Sequence, residues 1–165
     1  MEWRERVREA DRDAVLQLVR ATGFFSAEEE AIAVELVDEA IALGTQASGY
    51  EFIFADSSKG NALLGYACFG PIRARAGAFD LYWIAVAPGR QRSGLGRQLI
   101  VEAERRAVAQ GATDMFIDTA GRDQYRPTRE FYERMGYAQH DIDPDFYSPG
   151  DDKVVYRKRL SPSPQ

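Results

Sequence analysis

One segment constrains the fold of this chain more than any other. Phe79-Asp80-Leu81-Tyr82-Trp83-Ile84-Ala85-Val86 is nearly continuous in apolar and aromatic residues, and Pro88-Gly89 stops it. Such a run predicts a strand buried on both faces. The glycine turn Gln91-Arg92-Ser93-Gly94-Leu95-Gly96-Arg97 then leads into a stretch with Leu95, Leu99, Ala103 and Ala107 at helical spacing. That pattern predicts a helix from about Ser93 to Gln110, stopped by Gly111, and a short strand over Met115 to Thr119. A strand, a long helix and a second strand in succession make a crossover. Crossovers join parallel strands and lay a helix on a sheet.

The flanks fill in the rest. Arg4 to Arg8 reads as a short strand, followed by a helix after Asp11 with Ala14, Val15, Leu18 and Val19 on one stripe. Ser26-Ala27-Glu28-Glu29 has the capping-box pattern and opens a helix carrying Ile32, Leu36, Val37, Ala40 and Ile41, ended by Gly44. Tyr50 to Ala55 and Ala62 to Phe69 read as hairpin partners around the turn chemistry of Asp56 to Asn61, with Gly70-Pro71 interrupting the second. Pro127 suits a first helical turn, and that helix runs to about Met135 before Gly136. Tyr137 to Ile142 and Val154 to Leu160 read as two last strands around an acidic loop. The order β-α-α-β-β-β-α-β-α-β-β specifies a mixed α/β fold. Residues 1–160 are expected to form a single domain and 161–165 a disordered tail.

Charge and composition exclude several classes. The chain has 165 residues, 21 Lys+Arg and 26 Asp+Glu, a net −5. An acidic balance argues against nucleic acid as the main partner, and against a surface held on anionic lipid. No run approaches the roughly 18 apolar residues of a membrane span. The N-terminus lacks a secretion-signal pattern, so a cytoplasmic location is expected. With one cysteine, Cys68, and one histidine, His140, a Cys/His zinc site has no ligand set, and no metal is expected.

The glycine turn carries the chemistry. A strand-to-helix turn aims backbone N–H groups outward with the positive helix end behind them. Gly94 and Gly96 lack Cβ, so a phosphate can approach the backbone, and Arg90, Arg92 and Arg97 add positive charge. The dinucleotide fingerprint fails because its third glycine position is Leu99, and there is no Gly-Lys-Ser/Thr for a P-loop. A plain tight turn into a helix has the same residues.

Ile84-Ala85-Val86-Ala87-Pro88 followed by Gln91-Arg92-Ser93-Gly94-Leu95-Gly96-Arg97 resembles the acyl-CoA signature of the GNAT superfamily of N-acyltransferases. Phe131-Tyr132-Glu133-Arg134-Met135-Gly136-Tyr137 is similar to the later helix-to-strand motif of that family, and the element order agrees from about residue 4 to 160. The resemblance implies a GNAT-like fold, a mixed sheet of about seven strands with about four helices. It implies acetyl-CoA as co-substrate. Backbone groups of Ile84, Ala85 and Val86 would pair with the pantetheine arm, and Arg92, Ser93, Gly94, Leu95, Gly96 and Arg97 would hold the pyrophosphate. Tyr132 matches the tyrosine that faces the thioester sulfur; without the motif it reads as a packing residue like Phe131. Where the family often has an asparagine, seven residues before that tyrosine, this chain has Tyr125.

Acyl transfer to an amine needs a proton acceptor, donors for the oxyanion and a proton for the leaving thiolate. Tyr132 suits the last. Asp80, on the strand of Ile84 and Val86, is the first candidate base; the competing reading is a turn cap or an arginine partner. Glu51 and Tyr82 are reserves, and a water chain with no single base is a further alternative. The oxyanion donor is expected in the backbone near Ala85 or Val86. Cys68 lacks a histidine partner and reads as a small buried strand residue.

The acceptor side is less determined. Asp141, Asp143, Asp145, Asp151 and Asp152 fall within twelve residues, with Phe146 and Tyr147 among them. In a fold of this kind that loop borders the acceptor pocket, so Tyr147 and Asp151, with Glu51, Tyr82 and Tyr125, are expected at the acceptor, a small-molecule or peptide amine of cationic character. The plain alternative is a solvated turn that uses Asp, Pro and Gly for geometry. A monomer or a homodimer is expected. The leading expectation is an acetyl-CoA-dependent N-acetyltransferase acting by direct attack in a ternary complex; a non-catalytic acyl-CoA-binding module and a transferase of longer acyl groups are the alternatives.

Overall fold

Hydrophobic periodicity and caps place the helices. In the computed structural model, which describes residues 1–162, Ser26 accepts the Glu29 N–H at 3.2 Å through Oγ, and Glu29 Oε1 accepts the Ser26 N–H at 3.0 Å. This reciprocal pair satisfies two orphan donors at the start of α2 (Ala27–Ser48). The other helices are α1 (Asp11–Ala21), α3 (Leu95–Ala109) and α4 (Arg126–Arg134). The strands are β1 (Glu2–Arg4), β2 (Glu51–Asp56), β3 (Leu63–Pro71), β4 (Ala78–Val86), β5 (Asp114–Ala120), β6 (Ala138–Ser148) and β7 (Asp151–Arg159). They form a seven-stranded mixed sheet in the order β1-β2-β3-β4-β5-β7-β6. β4 and β5 are parallel and the pairs β1–β2, β2–β3, β5–β7 and β6–β7 antiparallel, so the expected crossover and element order are present.

The chain divides into two compact units. The first joins Met1–Gly70 to Trp83–Ala103. Val15, Leu18 and Val19 of α1 and Ala33, Val37 and Ala40 of α2 pack on Phe52, Phe54, Tyr66, Cys68 and Ala85. Phe52 and Phe54 stack with centroids 5.3 Å apart. On the other side of β3, a Cβ at Gly65 would lie 3.0 Å from the Ala85 carbonyl oxygen and 3.2 Å from Leu95 Cδ2. The missing side chain lets the first turn of α3 lie close to the strands and so fixes where that helix begins.

The second unit joins Pro71–Tyr82 to Glu104–Gln165. Its α4 packs through Tyr132, whose ring lies 6.3 Å from Tyr137 and 6.3 Å from Tyr156, centroid to centroid. Below it, Glu104 accepts the Tyr137 hydroxyl at 2.8 Å and the Lys158 ammonium at 3.0 Å. Lys158 also donates to the Met135 carbonyl at 2.9 Å, tying the end of α4 to β7.

Five expectations need correction. The first strand covers Glu2–Arg4 and not Arg4–Arg8, because the Asp11 carboxylate accepts the Arg8 N–H at 2.7 Å and turns that stretch into the entry of α1. Gly44 bends α2 with φ 80° and ψ 166° but does not end it; the helix continues to Ser48, and Gly49 caps it by donating to Thr45 at 2.9 Å. Gly70-Pro71 does not interrupt β3, which runs through Pro71. β4 is not buried on both faces: Phe79, Leu81 and Ala85 are buried, but Tyr82 is 37% exposed and Asp80, Ile84 and Val86 are half-buried. The acidic segment is no loop. β6 runs to Ser148 and β7 begins at Asp151, an edge position that tolerates Pro144. The tail expected at 161–165 lies, from 163 onward, outside the described residues.

Candidate functional site

The cradle at the head of α3 belongs to the first unit. Arg92 and Gly94 are both left-handed, with φ 65° and 86°. Left-handed residues in a tight turn point successive N–H groups inward as an anion-binding concavity. The Ser93 hydroxyl donates to the Arg90 carbonyl and closes the turn. Helical bonding starts with the Gln98 N–H to the Gly94 carbonyl at 3.0 Å, so helix geometry leaves the N–H groups of Leu95, Gly96 and Arg97 without intrahelical acceptors. Open space surrounds the position a Gly94 Cβ would take. Arg90, Arg92 and Arg97 are exposed around it. Leu95 is the exception among the six turn residues: its side chain is buried and anchors the helix, so only its backbone faces the cradle. A pyrophosphate fits this arrangement in charge and in donor supply.

In the same unit, Ala85 is buried and Ile84 and Val86 are half-buried at the end of β4. Glu51 opens β2 opposite Phe69. Cys68 is fully buried, and burial pushes its thiol up, so it stays a thiol and not a nucleophile.

Asp80 and Tyr132 both belong to the second unit. Asp80 lies opposite Phe116 of β5 in the parallel register. Tyr132 reaches over Tyr156, which lies opposite Ile117. Phe116 and Ile117 are consecutive on one strand and point to opposite faces. Asp80 and Tyr132 therefore lie on opposite faces of the sheet. Burial first, and the neighbouring Asp118 second, push the Asp80 carboxyl up to about 6, with Lys153 opposing. A carboxylate poised there is charged at neutral pH yet basic enough to take a proton. Tyr132 is 6% exposed, and burial raises its phenol, so it holds its proton at neutral pH. A phenol that keeps its proton suits a developing anion.

The remaining expected acceptor residues fare differently. Tyr82 is exposed on β4, and Tyr147 is exposed on β6 in edge contact with Phe146. Tyr125 is buried and carries the Arg122 guanidinium over its ring at 4.5 Å. Asp151 is buried and accepts Arg122 Nη1 at 2.7 Å through Oδ2, while its Oδ1 is buried with no partner among the described residues. Asp145 accepts the Gly150 N–H at 2.7 Å, and Asp152 accepts the Asp145 N–H at 3.0 Å. These aspartates build the hairpin; they are not a free anionic loop. The structure also brings in Asp118 and Lys153, which the chain order does not single out. Only the alternation of β5 placed beside Asp80 marks them.

The comparisons with known proteins bear on the family. The model of the GNAT acetyltransferase family matches residues 13–137. A solved candidate acetyltransferase of the GNAT family from Desulfovibrio desulfuricans is 44% identical, with a TM-score of 0.92 over 97% of this chain and 99% of that one. An aminoglycoside 6'-N-acetyltransferase solved with coenzyme A shares the fold at 18% identity, with a TM-score of 0.74 over the whole of both chains. The uncharacterized N-acetyltransferase YuaI of Bacillus subtilis is 33% identical over 67 residues, a match spanning 39% of either chain. The match to the family model over most of the chain and the full-length structural likeness agree: this chain belongs to the GNAT acetyltransferase family, whose members use acyl-CoA and acetylate amines.

Proposed function

We infer that this chain transfers an acetyl group from acetyl-CoA to a primary amine by direct attack, with both substrates bound at once. The observation that carries the reading is Tyr132 on α4, nine-tenths buried and holding its proton at neutral pH. In this reading the cradle of Arg92, Ser93, Gly94, Leu95, Gly96 and Arg97 holds the pyrophosphate, and backbone groups of Ile84, Ala85 and Val86 align the pantetheine arm. Asp80 accepts the proton that the attacking ammonium must lose. Tyr132 supplies a proton as the carbon–sulfur bond breaks. A buried Cys68 thiol supports direct attack over a covalent acyl-enzyme. Tyr82, Glu51, Tyr125 and Tyr147 remain the proposed acceptor contacts. Asp151, paired with Arg122, is proposed to shape the hairpin beside them.

The test is thiol release from acetyl-CoA across a broad amine panel. Turnover with at least one amine is expected. Thermal protection by CoA with no turnover on any amine replaces the enzyme with an acyl-CoA-binding module, and faster turnover with propionyl- or succinyl-CoA replaces the acetyl donor. Tyr132→Phe is expected to lower kcat by about ten- to a hundredfold while the CoA dissociation constant stays within about twofold. An unchanged kcat removes Tyr132 from the reaction.

Gly94→Val tests the cradle separately. The free protein loses about 1–2 kcal/mol from a left-handed branched residue, since nothing else surrounds the added Cβ. CoA binding, measured by calorimetry, is expected to weaken about tenfold or more because the side chain fills the space the phosphates need. Unaltered affinity would place the phosphates elsewhere.

A further inference from the structure

We propose that Asp118 and Lys153 are positioning residues for Asp80, setting from opposite electrical sides how readily its carboxylate takes up the proton of the incoming amine. The inference rests on Asp80 acting as the base. Its geometric ground is strand register. Asp80 lies opposite Phe116, and Phe116, Asp118 and Ala120 alternate onto one face of β5. Ala120 lies opposite Lys153 of β7. Three charged side chains on three adjacent strands therefore share one face of the second unit. Lys153 is held in place: its ammonium lies 4.2 Å from the centroid of the Phe146 ring, a cation–π contact.

Two further carboxylates of β6 share this face, Asp143 opposite Lys153 and Asp141 opposite Val155, which is itself opposite Asp118; the remaining charged groups lie around Phe116. Asp114 accepts Arg157 Nε at 2.8 Å and the Thr113 hydroxyl at 2.8 Å. The Arg75 and Arg157 guanidiniums lie 5.2 and 6.0 Å from the Phe116 centroid, and the His140 ring meets its edge at 5.6 Å. Of the charges on this face, Asp118 raises the proton affinity of Asp80 and Lys153 lowers it. Asp118 has an exposed edge, yet burial of its carboxylate also raises its own proton affinity, with Lys153 again opposing. The proton balance is simple. An ammonium gives one proton to the Asp80 carboxylate, which becomes a neutral acid, and the amine becomes a free nucleophile. A fixed negative neighbour favours that uptake, and a fixed positive neighbour opposes it. Burial raises Asp80 most, and the pair adjusts it from there, near the working pH where a base both exists in its charged form and binds a proton usefully.

The test needs no acceptor. Carbon-13 labelling of aspartate Cγ in the full chain follows the Asp80 titration by NMR, with Asp80→Asn as the assignment control. In the unsubstituted protein the midpoint is expected at about 6. Asp118→Asn is expected to move it down by about half a pH unit or more, and Lys153→Met to move it up by a similar amount. Midpoints that stay put, or that move in the same direction in both variants, overturn the proposal. Failure of the underlying reading looks different: the acid limb of kcat/KM would survive Asp80→Asn, while the carboxylate titration stayed as described.

Discussion

Replacing Asp80 by Asn is expected to make this protein more stable at pH 8 and to lower its kcat/KM by at least about a hundredfold. The two effects have one cause. Asp80 is half-buried and pushed up to about 6 by burial and by Asp118, so its ionised form is less welcome in the folded chain than in the unfolded one. A carboxyl whose folded value is raised favours folding while it is protonated. That contribution is fully present below the unfolded value near 3.8 and is lost as pH rises through about 6. At pH 8 the unsubstituted protein carries the whole cost, and the neutral amide of Asn carries none. After discounting for the solvent that reaches a half-exposed group, the gain is about 1–2 kcal/mol. Thermal melts of both proteins at pH 8 and pH 4 read it directly: the Asn variant melts higher at pH 8, and the gap closes at pH 4. A variant that melts lower at pH 8 would mean that the carboxylate is held by partners stronger than the repulsion described. Stability gained where activity is lost is the expected signature of a strained functional group.

The second large effect concerns the first unit alone. Arg4→Met is expected to cost about 3–5 kcal/mol of stability in urea unfolding. Arg4 lies between two carboxylates that have few other partners. Its Nη1 and Nη2 grip Asp11 through two 2.8 Å bonds, its Nε donates to Asp56 at 2.8 Å, and its guanidinium lies 4.3 Å from the centroid of the Phe54 ring. The side chains are only 12%, 5% and 17% exposed for Arg4, Asp11 and Asp56. Removing the cation strands two buried anions, which is costlier than never having buried the charges. Neutralising the anions as well, with Asp11→Asn and Asp56→Asn on the Arg4→Met background, is expected to recover part of the loss. A loss under about 1 kcal/mol would put this triad with ordinary surface ion pairs. Arg12 with Asp38 is such a pair, half-exposed at 2.9 Å, and little is expected of it.

The contrast between these networks shows what local sequence carries. The capping box at Ser26 and Glu29, the strand–turn–helix at Val86 to Leu95 and the Pro127 start of α4 are legible because each is settled within a few residues. Gly44 misleads for a related reason. A glycine at the end of an apolar stripe signals a stop, yet one more turn is stable because Gly49 supplies the left-handed cap. The acidic segment misleads in a different way. Asp143, Pro144 and Asp145 look like a loop when read alone, but pairing with β7 at Asp143 and again at Ser148, around a bulge that holds the other two, carries an edge strand through them. Local preference yields there to cross-strand hydrogen bonds.

For the site, residue type and spacing by themselves determined a glycine turn that suits phosphate and a carboxylate on the central strand; the class of chemistry, and the part of the tyrosine in it, came from the resemblance of two short motifs to a known family. Only the tertiary structure decided which carboxylates have a cation beside them and which are half-buried without one. Asp151 pairs with Arg122, 29 positions away, and Asp114 with Arg157, 43 positions away. Asp80 is left facing Asp118 and Lys153, 38 and 73 positions on, and no pattern of nearby residues foretells those neighbours. The reason is physical. A carboxyl's proton affinity depends on burial and on charges within a few ångströms, and in a sheet those come from the register of distant strands.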